Sequence, residues 1–319
     1  MLNLVANNNS AAVVKLTFDS TLVNRWLKFA AVAQKSMQTY TACLKQVFSY
    51  FADKGIAAPC RADIENFRDS LIDAGKSAST VCLYLSATKL FFRWLSQEGI
   101  YQNVADNVKS RVKVSTNHKK DSISIEQANN LLKSVEGESL KSLRDKAVIA
   151  LLLTCGLRSI EIERANICDI RQINGRNYLF VLGKGRSEKN ECVEVPAKVM
   201  KLIDKYLKAR EKAAGKKLTR NAPLFVSTAR RNKGCRITGD TIRRMVKGNL
   251  RKIGIDTPTV SCHSLRHFAA CTMVAENVEL PNIQAALRHK SLTTTLIYLN
   301  YFNRLNNRAE CAVAKVLRI

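Results

Sequence analysis

Acidic residues are scarce in this 319-residue chain: 26 Asp and Glu stand against 52 Lys and Arg, a formal net charge of +26. Such an excess repels itself unless a polyanion offsets it, and nucleic acid is the commonest polyanion in a cell. An anionic membrane surface is the weaker alternative. Long apolar runs are also lacking; Ala147 to Cys155 is too short to span a bilayer, so no transmembrane helix is expected. The ten cysteines, Cys43 to Cys311, include no C-x-x-C pair, which removes zinc ribbons and thioredoxin-like motifs. They read as reduced, mostly buried small residues of a cytoplasmic protein. Met1 to Val14 has no basic region followed by an apolar core, so no leader peptide is expected. Gly75-Lys76-Ser77 ends like a phosphate loop, but Ser70 stands where such a loop needs glycine. His263 and His267 are spaced like two zinc ligands, yet no glutamate follows the first. Neither a metal nor another cofactor is expected.

What is present is enough apolar residue, 46% of the chain, to bury two cores. From Ser20 to about Tyr101 apolar residues recur at three and four positions, predicting a small all-helical domain over residues 16–106. Within it Ser36 reads as the N-cap of a helix carrying Tyr40, Leu44, Val47, Phe48 and Phe51. A second helix is expected over Asp63 to Ala74, and a third from Ser79, carrying Leu83, Leu85, Leu90, Phe91 and Leu95. Residues 107–121 are polar and basic, with Lys109, Arg111, Lys113, His118, Lys119 and Lys120, and read as a linker. A second domain follows over residues 122–300. Helices are expected from Ser124 to Val135 and from Lys141 to Cys155. Two strands, Tyr178–Leu182 and Cys192–Val195, flank the turn Gly183-Lys184-Gly185. Helical periods return over Val199–Lys212, Thr238–Ile253, His263–Glu276 and Pro281–Arg288, and a basic tail occupies residues 301–319. The fold class is therefore mostly α with a small β-sheet.

Four segments of the second domain carry candidate chemistry, each weak alone. Gly156-Leu157-Arg158-Ser159-Ile160-Glu161 puts an arginine after a helix-ending glycine, which by itself reads as a capped terminus paired with Glu161. Lys184 is a hairpin lysine, ordinarily just solvated. His263 and Arg266 lie one helical turn apart and project from nearly one face. In Leu287-Arg288-His289-Lys290-Ser291-Leu292-Thr293-Thr294-Thr295-Leu296-Ile297-Tyr298 a histidine precedes a tyrosine by nine residues, and helical tyrosines usually belong to the core. Their order is what is specific. Arginine, hairpin lysine, His-x-x-Arg, histidine and tyrosine, in sequence over residues 122–298, resemble the catalytic domain of the tyrosine recombinases. The N-terminal helical domain resembles that family's SAM-like core-binding domain, most like Xer-type recombinases and mobile-element integrases. Two departures stand out: Arg288 precedes His289 where glycine is common, and Asn300 follows Tyr298 where Xer-like members often have histidine.

The resemblance implies a site-specific recombinase that cleaves and rejoins double-stranded DNA through a 3'-phosphotyrosine, with no cofactor. Attack on a phosphodiester adds negative charge to the non-bridging oxygens, which Arg158 and Arg266 would hold. Tyr298 would be the nucleophile, His263 the base, Lys184 the acid that protonates the leaving 5'-oxygen, and His289 a phosphate hydrogen-bond donor. Glu161 would orient Arg158 or His263. Tyr301 remains a second candidate nucleophile. The tail, with Leu305, Ala309, Ala312, Val313, Val316 and Leu317 on one face, would dock on a neighbouring protomer of a homotetramer built on two DNA sites, the alternative being that it packs on its own domain. A type IB topoisomerase-like relaxing enzyme and an inactive DNA-binding regulator are the alternatives. Chromosome dimer resolution, phage-like integration and transposon mobility stay open, although the short N-terminus leans away from an arm-binding domain.

Overall fold

The computed structural model describes residues 20–30, 34–112, 122–183, 188–306, 311 and 315–317. The chain divides into two compact units, Met1–Ser115 and Thr116–Ile319. The first is helical among its described residues: α1 (Ser20–Phe29), α2 (Gln34–Asp53), α3 (Arg61–Asp73) and α4 (Ala78–Gln97). Its core is aromatic. Phe91 on α4 meets Phe48 of α2 edge to face at 5.7 Å and Trp26 of α1 at 5.5 Å, the geometry that ring quadrupoles prefer. Arg68, 1% exposed, pairs with Asp69 and donates to the Lys109 carbonyl at 3.0 Å, tying the segment after α4 back onto α3.

One expected cap falls elsewhere. Helix α2 begins at Gln34, so Ser36 lies inside its first turn and is not its N-cap. Helix α4 starts at Ala78, one residue before Ser79, and is capped by Ser77, whose hydroxyl accepts the Thr80 N–H at 3.2 Å. Leu83 is 37% exposed and so contributes little to that core.

The second unit contains α5 (Ile125–Lys133), α6 (Leu140–Thr154), α7 (Ser159–Arg164), β1 (Ile170–Ile173), β2 (Arg176–Val181), β3 (Glu191–Glu194), α8 (Ala197–Ala214), α9 (Gly239–Lys252), α10 (Cys262–Ala275), α11 (Leu280–Leu287) and α12 (Leu292–Asn306). Ser124 caps α5, its hydroxyl accepting the Gln127 N–H while Gln127 accepts in return. Helix α6 is buried from Leu143 to Leu153 on nearly all sides, and the other elements pack round it. The sheet is antiparallel in the order β1-β2-β3, with Ile170 opposite Leu179 and Leu179 opposite Val193. It thus has one strand more than expected. β1 and β2 are joined by Asn174-Gly175, both at positive φ (49° and 76°), the two-residue turn whose twist suits a hairpin. The cysteines are all unpaired, but three are buried, three intermediate and four exposed, so "mostly buried" does not describe them. Among the described residues no helix is long and apolar enough to cross a membrane.

Candidate active site

The site grows out of the end of α6. Gly156 turns the chain at φ +55°, a left-handed conformation, in a place where an added Cβ would lie 2.7 Å from the Leu287 side chain. That turn lets α10 and α11 approach the main chain closely. Two residues on, Arg158 becomes the N-cap of α7 and Glu161 its N3 residue. Glu161 accepts the Arg158 backbone N–H at 2.8 Å and the Arg158 Nη1 at 2.8 Å. The sequence allowed either a capped helix terminus or a functional arginine at this point; the geometry is compatible with both.

Helix α10 supplies the next residues. His263 lies exposed on its first turn, while Arg266 and His267 are 1% and 0% exposed on the inward face. Arg266 gives Nη1 to the Gly156 carbonyl at 2.5 Å and Nη2 to the Leu287 carbonyl. Burial, together with the like charges of Arg158 and Arg288, pushes the Arg266 guanidinium down to about 10. Helix α11 then ends on Arg288, and His289 follows it into the site. Its Nδ1 is 2.9 Å from the Thr295 hydroxyl of α12. Burial and the charges of Arg266, Arg158, Arg288 and His263 push His289 down to about 3, so its ring is neutral near pH 7.

Tyr298 of α12 is 3% exposed and lies between two imidazoles. His289 is stacked on it, ring centroids 5.7 Å apart and planes within 7°, and His267 meets it edge to face at 5.0 Å. Burial pushes the phenol above its ordinary value; the charge of Arg266, a hydrogen bond from it, and the charge of Arg158 act in the opposite direction. Tyr301 is three residues further along the same helix, and its side chain is outside the described residues. Arg158, Glu161, Arg266, His289 and Tyr298 thus converge, with His263 at the exposed edge.

Lys184 lies outside the described residues, but its flanks are anchored. Arg164, at the end of α7, donates to the Gly183 carbonyl at 3.2 Å, and Lys189 donates to the Arg164 carbonyl at 3.1 Å while ion-paired with Asp169. Both sides of the β2–β3 connection are therefore tied to the short helix that Arg158 caps. Sequence reasoning missed two participants, His267 and Thr295, and marked Arg288 as a departure at the turn without its buried contact to Glu161. The inward position of His267 was available as a signal, since it lies one residue after Arg266 and one turn after His263 on a helix with an apolar face. Among the described residues no group of three or more His, Cys, Asp or Glu is placed to hold a metal ion.

In electrostatic terms, three guanidinium groups surround one buried carboxylate, an excess of positive charge where a phosphodiester would add negative charge.

Comparison with known proteins agrees with this geometry. Residues 121–304 match the phage integrase family, and residues 24–99 match the phage integrase N-terminal SAM-like domain. Tyrosine recombinase XerC of Thermodesulfovibrio yellowstonii is 32% identical over 237 residues, covering 74% of this chain and 75% of that protein. Among solved structures, XerH site-specific recombinase bound to palindromic difH substrate, a post-cleavage complex, superposes with a TM-score of 0.71 at 22% identity, covering 92% of this chain and 84% of that one. A lambda integrase tetramer bound to a Holliday junction superposes with a TM-score of 0.62 at 17% identity, covering 87% and 76%.

Proposed function

The chain belongs to the phage integrase family of tyrosine recombinases, and from that premise we propose that it cuts and rejoins double-stranded DNA at specific sites through a covalent link to Tyr298. The observation that carries this reading is the placement of a buried tyrosine between two imidazoles and beside a surplus of guanidinium charge. A phenol ionises near 10 and is a poor nucleophile at neutral pH unless cations stabilise the phenolate and a base takes its proton. Arg266 and Arg158 supply the cations. His263, at the exposed edge where DNA arrives, takes the proton. The neutral His289 donates one N–H to a non-bridging oxygen. Lys184 protonates the leaving 5'-oxygen; Lys189, held by Asp169 and the Arg164 carbonyl, is less available for that transfer. The bond energy is kept in a 3'-phosphotyrosine, so attack by a 5'-hydroxyl of another strand reverses the step without an external energy source.

The finer assignments follow the same logic. The helical domain of residues 16–106 and the catalytic domain of residues 122–300, joined by the basic linker 107–121, hold one duplex site, with phosphate contacts giving affinity that falls with salt. Recombination needs two such sites, and we assign the protein a homotetramer in which residues 301–319 dock on a neighbouring protomer. Of the apolar residues on that tail's expected face, Val316 and Leu317 are 82% and 61% exposed; Ala309, Ala312 and Val313 lie outside the described residues.

The test is a nicked suicide substrate carrying the recombination site. Wild-type protein is expected to form a covalent adduct, and Tyr298→Phe to bind the DNA and form none. If Tyr301→Phe abolishes the adduct while Tyr298→Phe does not, the nucleophile is misassigned. Supercoil relaxation by a monomer without strand exchange would point to the topoisomerase-like alternative.

A further inference from the structure

Arg288 is in a place where arginine is costly. It is the C-cap of α11 at φ 54° and ψ 50°, the left-handed conformation that glycine adopts freely and a side chain with a Cβ does not. It is also 7% exposed, and long cationic side chains are rarely buried unless paired. Both costs need an offset, and the contacts supply one. Nε donates to Glu161 Oε1 at 3.3 Å and Nη2 to Glu161 Oε2 at 2.9 Å; Nη2 also reaches the Gly156 carbonyl at 3.3 Å, and Nη1 donates to the Ala286 carbonyl.

Seen from Glu161, the arrangement divides the work. The carboxylate is 0% exposed and accepts four donors, two from Arg158 and two from Arg288. Burial alone would raise its pKa, but Arg288 leads the influences that hold it below the usual carboxylate range, ahead of Arg158. Arg158 is differently placed. Its side chain is 30% exposed, and of its guanidinium only Nη1 goes to the carboxylate, while Nη2 donates a long hydrogen bond of 3.4 Å to the Arg288 carbonyl. A buried carboxylate whose only cation was Arg158 would draw that guanidinium into a two-point pair, the geometry the two groups prefer.

We propose that Arg288 is a positioning residue: it neutralises Glu161 from the inside and so keeps one edge of Arg158 available to the scissile phosphate. The proposal rests on the recombinase reading above. It makes the expected departure at residue 288 part of the site, through a carboxylate that touches no DNA.

The experiment is single-turnover cleavage of the nicked suicide substrate at saturating protein, with DNA affinity and thermal unfolding measured alongside. Arg288→Gly is expected to cleave about 100-fold more slowly, the loss typical of one misplaced transition-state donor, with DNA affinity changed no more than about threefold. Adding Glu161→Gln to Arg288→Gly is expected to recover about tenfold, because a neutral amide no longer draws in Arg158. A structural role for Arg288 gives the opposite pattern, since removing a second buried contact then slows cleavage further. Arg288→Lys, which keeps the charge and the backbone strain but loses the fork, is expected between wild type and Arg288→Gly. If the glycine variant does not fold, the same recovery is sought by adding Glu161→Gln to the lysine variant. An Arg288→Gly protein as fast as wild type overturns the proposal alone, and so does a double variant no faster than its parent. Absence of the adduct from the wild type itself overturns the recombinase reading and this proposal with it.

Discussion

Replacing Gly156 with alanine should damage stability and catalysis together, and the structure sets the scale. Gly156 sits at φ +55°, and the new Cβ would lie 2.7 Å from Leu287 Cδ2, 3.5 Å from the Ala269 Cβ and 3.8 Å from Arg266 Cγ. A Cβ in the left-handed region costs about 1 kcal/mol, and forcing a methyl against a packed leucine adds about 1–3 kcal/mol. For a unit the size of Thr116–Ile319, a loss of about 3 kcal/mol lowers the melting temperature by about 6–12 °C. The Gly156 carbonyl is also the shared acceptor of Arg266 and Arg288. Moving it by about 1 Å should slow cleavage about 100-fold. Gly215 provides the control: it caps α8 at φ +63° with nothing within 4 Å of an added Cβ. Gly215→Ala should therefore lose only the backbone part, about 2–4 °C, and keep its cleavage rate. The two variants are compared by differential scanning calorimetry and suicide-substrate cleavage. If Gly156→Ala melts with Gly215→Ala and cleaves at the wild-type rate, the close approach of Leu287 imposes no constraint and the reasoning fails.

Three further outcomes are expected. Lys184→Ala should slow cleavage strongly, and a 5'-bridging phosphorothiolate, whose thiolate leaves without a proton, should restore much of the rate; absence of rescue removes Lys184 from the acid role and turns attention to Lys189. Stability should decline as pH falls from about 6.5 toward 3, because His289 is pushed down to about 3 when folded and takes a proton near 6.5 when unfolded, so the unfolded state binds more protons across that window; urea melts at pH 7.5 and 5.0 should show a smaller loss for His289→Asn than for wild type, and equal losses contradict the assignment. Truncation after Asn306, which leaves α12 whole, should preserve single-site binding while abolishing synapsis and strand exchange; recombination at the normal rate would refute the docking role of the tail.

Much of the site was legible because its chemistry depends on order along the chain. Arg158, Arg266, His289 and Tyr298 were picked out because their order resembles that of the tyrosine recombinases, and the fold brings them within reach of one another. Other features had a signal that was read one step short. Asn174-Gly175 marks a two-residue hairpin, yet Ile170–Ile173 is short and mostly exposed, so its alternation carried no weight beside β2. The start of α4, expected near Ser79, falls one residue earlier at Ala78, and only the bond to Thr80 identifies Ser77 as its cap.

Arg288 is a different case: the sequence marks it as a departure from the glycine common at that position, but does not give its partner. In a chain with a net charge of +26, composition does not say whether such an arginine is solvated or buried. Nothing in composition or period separates it from Lys290 two residues on, which is exposed. The separation comes from where the side chain turns. A left-handed C-cap reverses the chain at residue 288, so the side chain folds back under α11 instead of following the backbone outward, and there it meets Glu161, contributed by a helix 127 residues earlier. The partner is fixed by tertiary contact and not by spacing, which local pattern cannot register. A buried ion pair of this kind adds little net stability over an apolar substitute, because desolvation consumes most of the attraction. Its retention beside Arg158 is therefore better explained by what it does to the position of that guanidinium than by what it contributes to the fold.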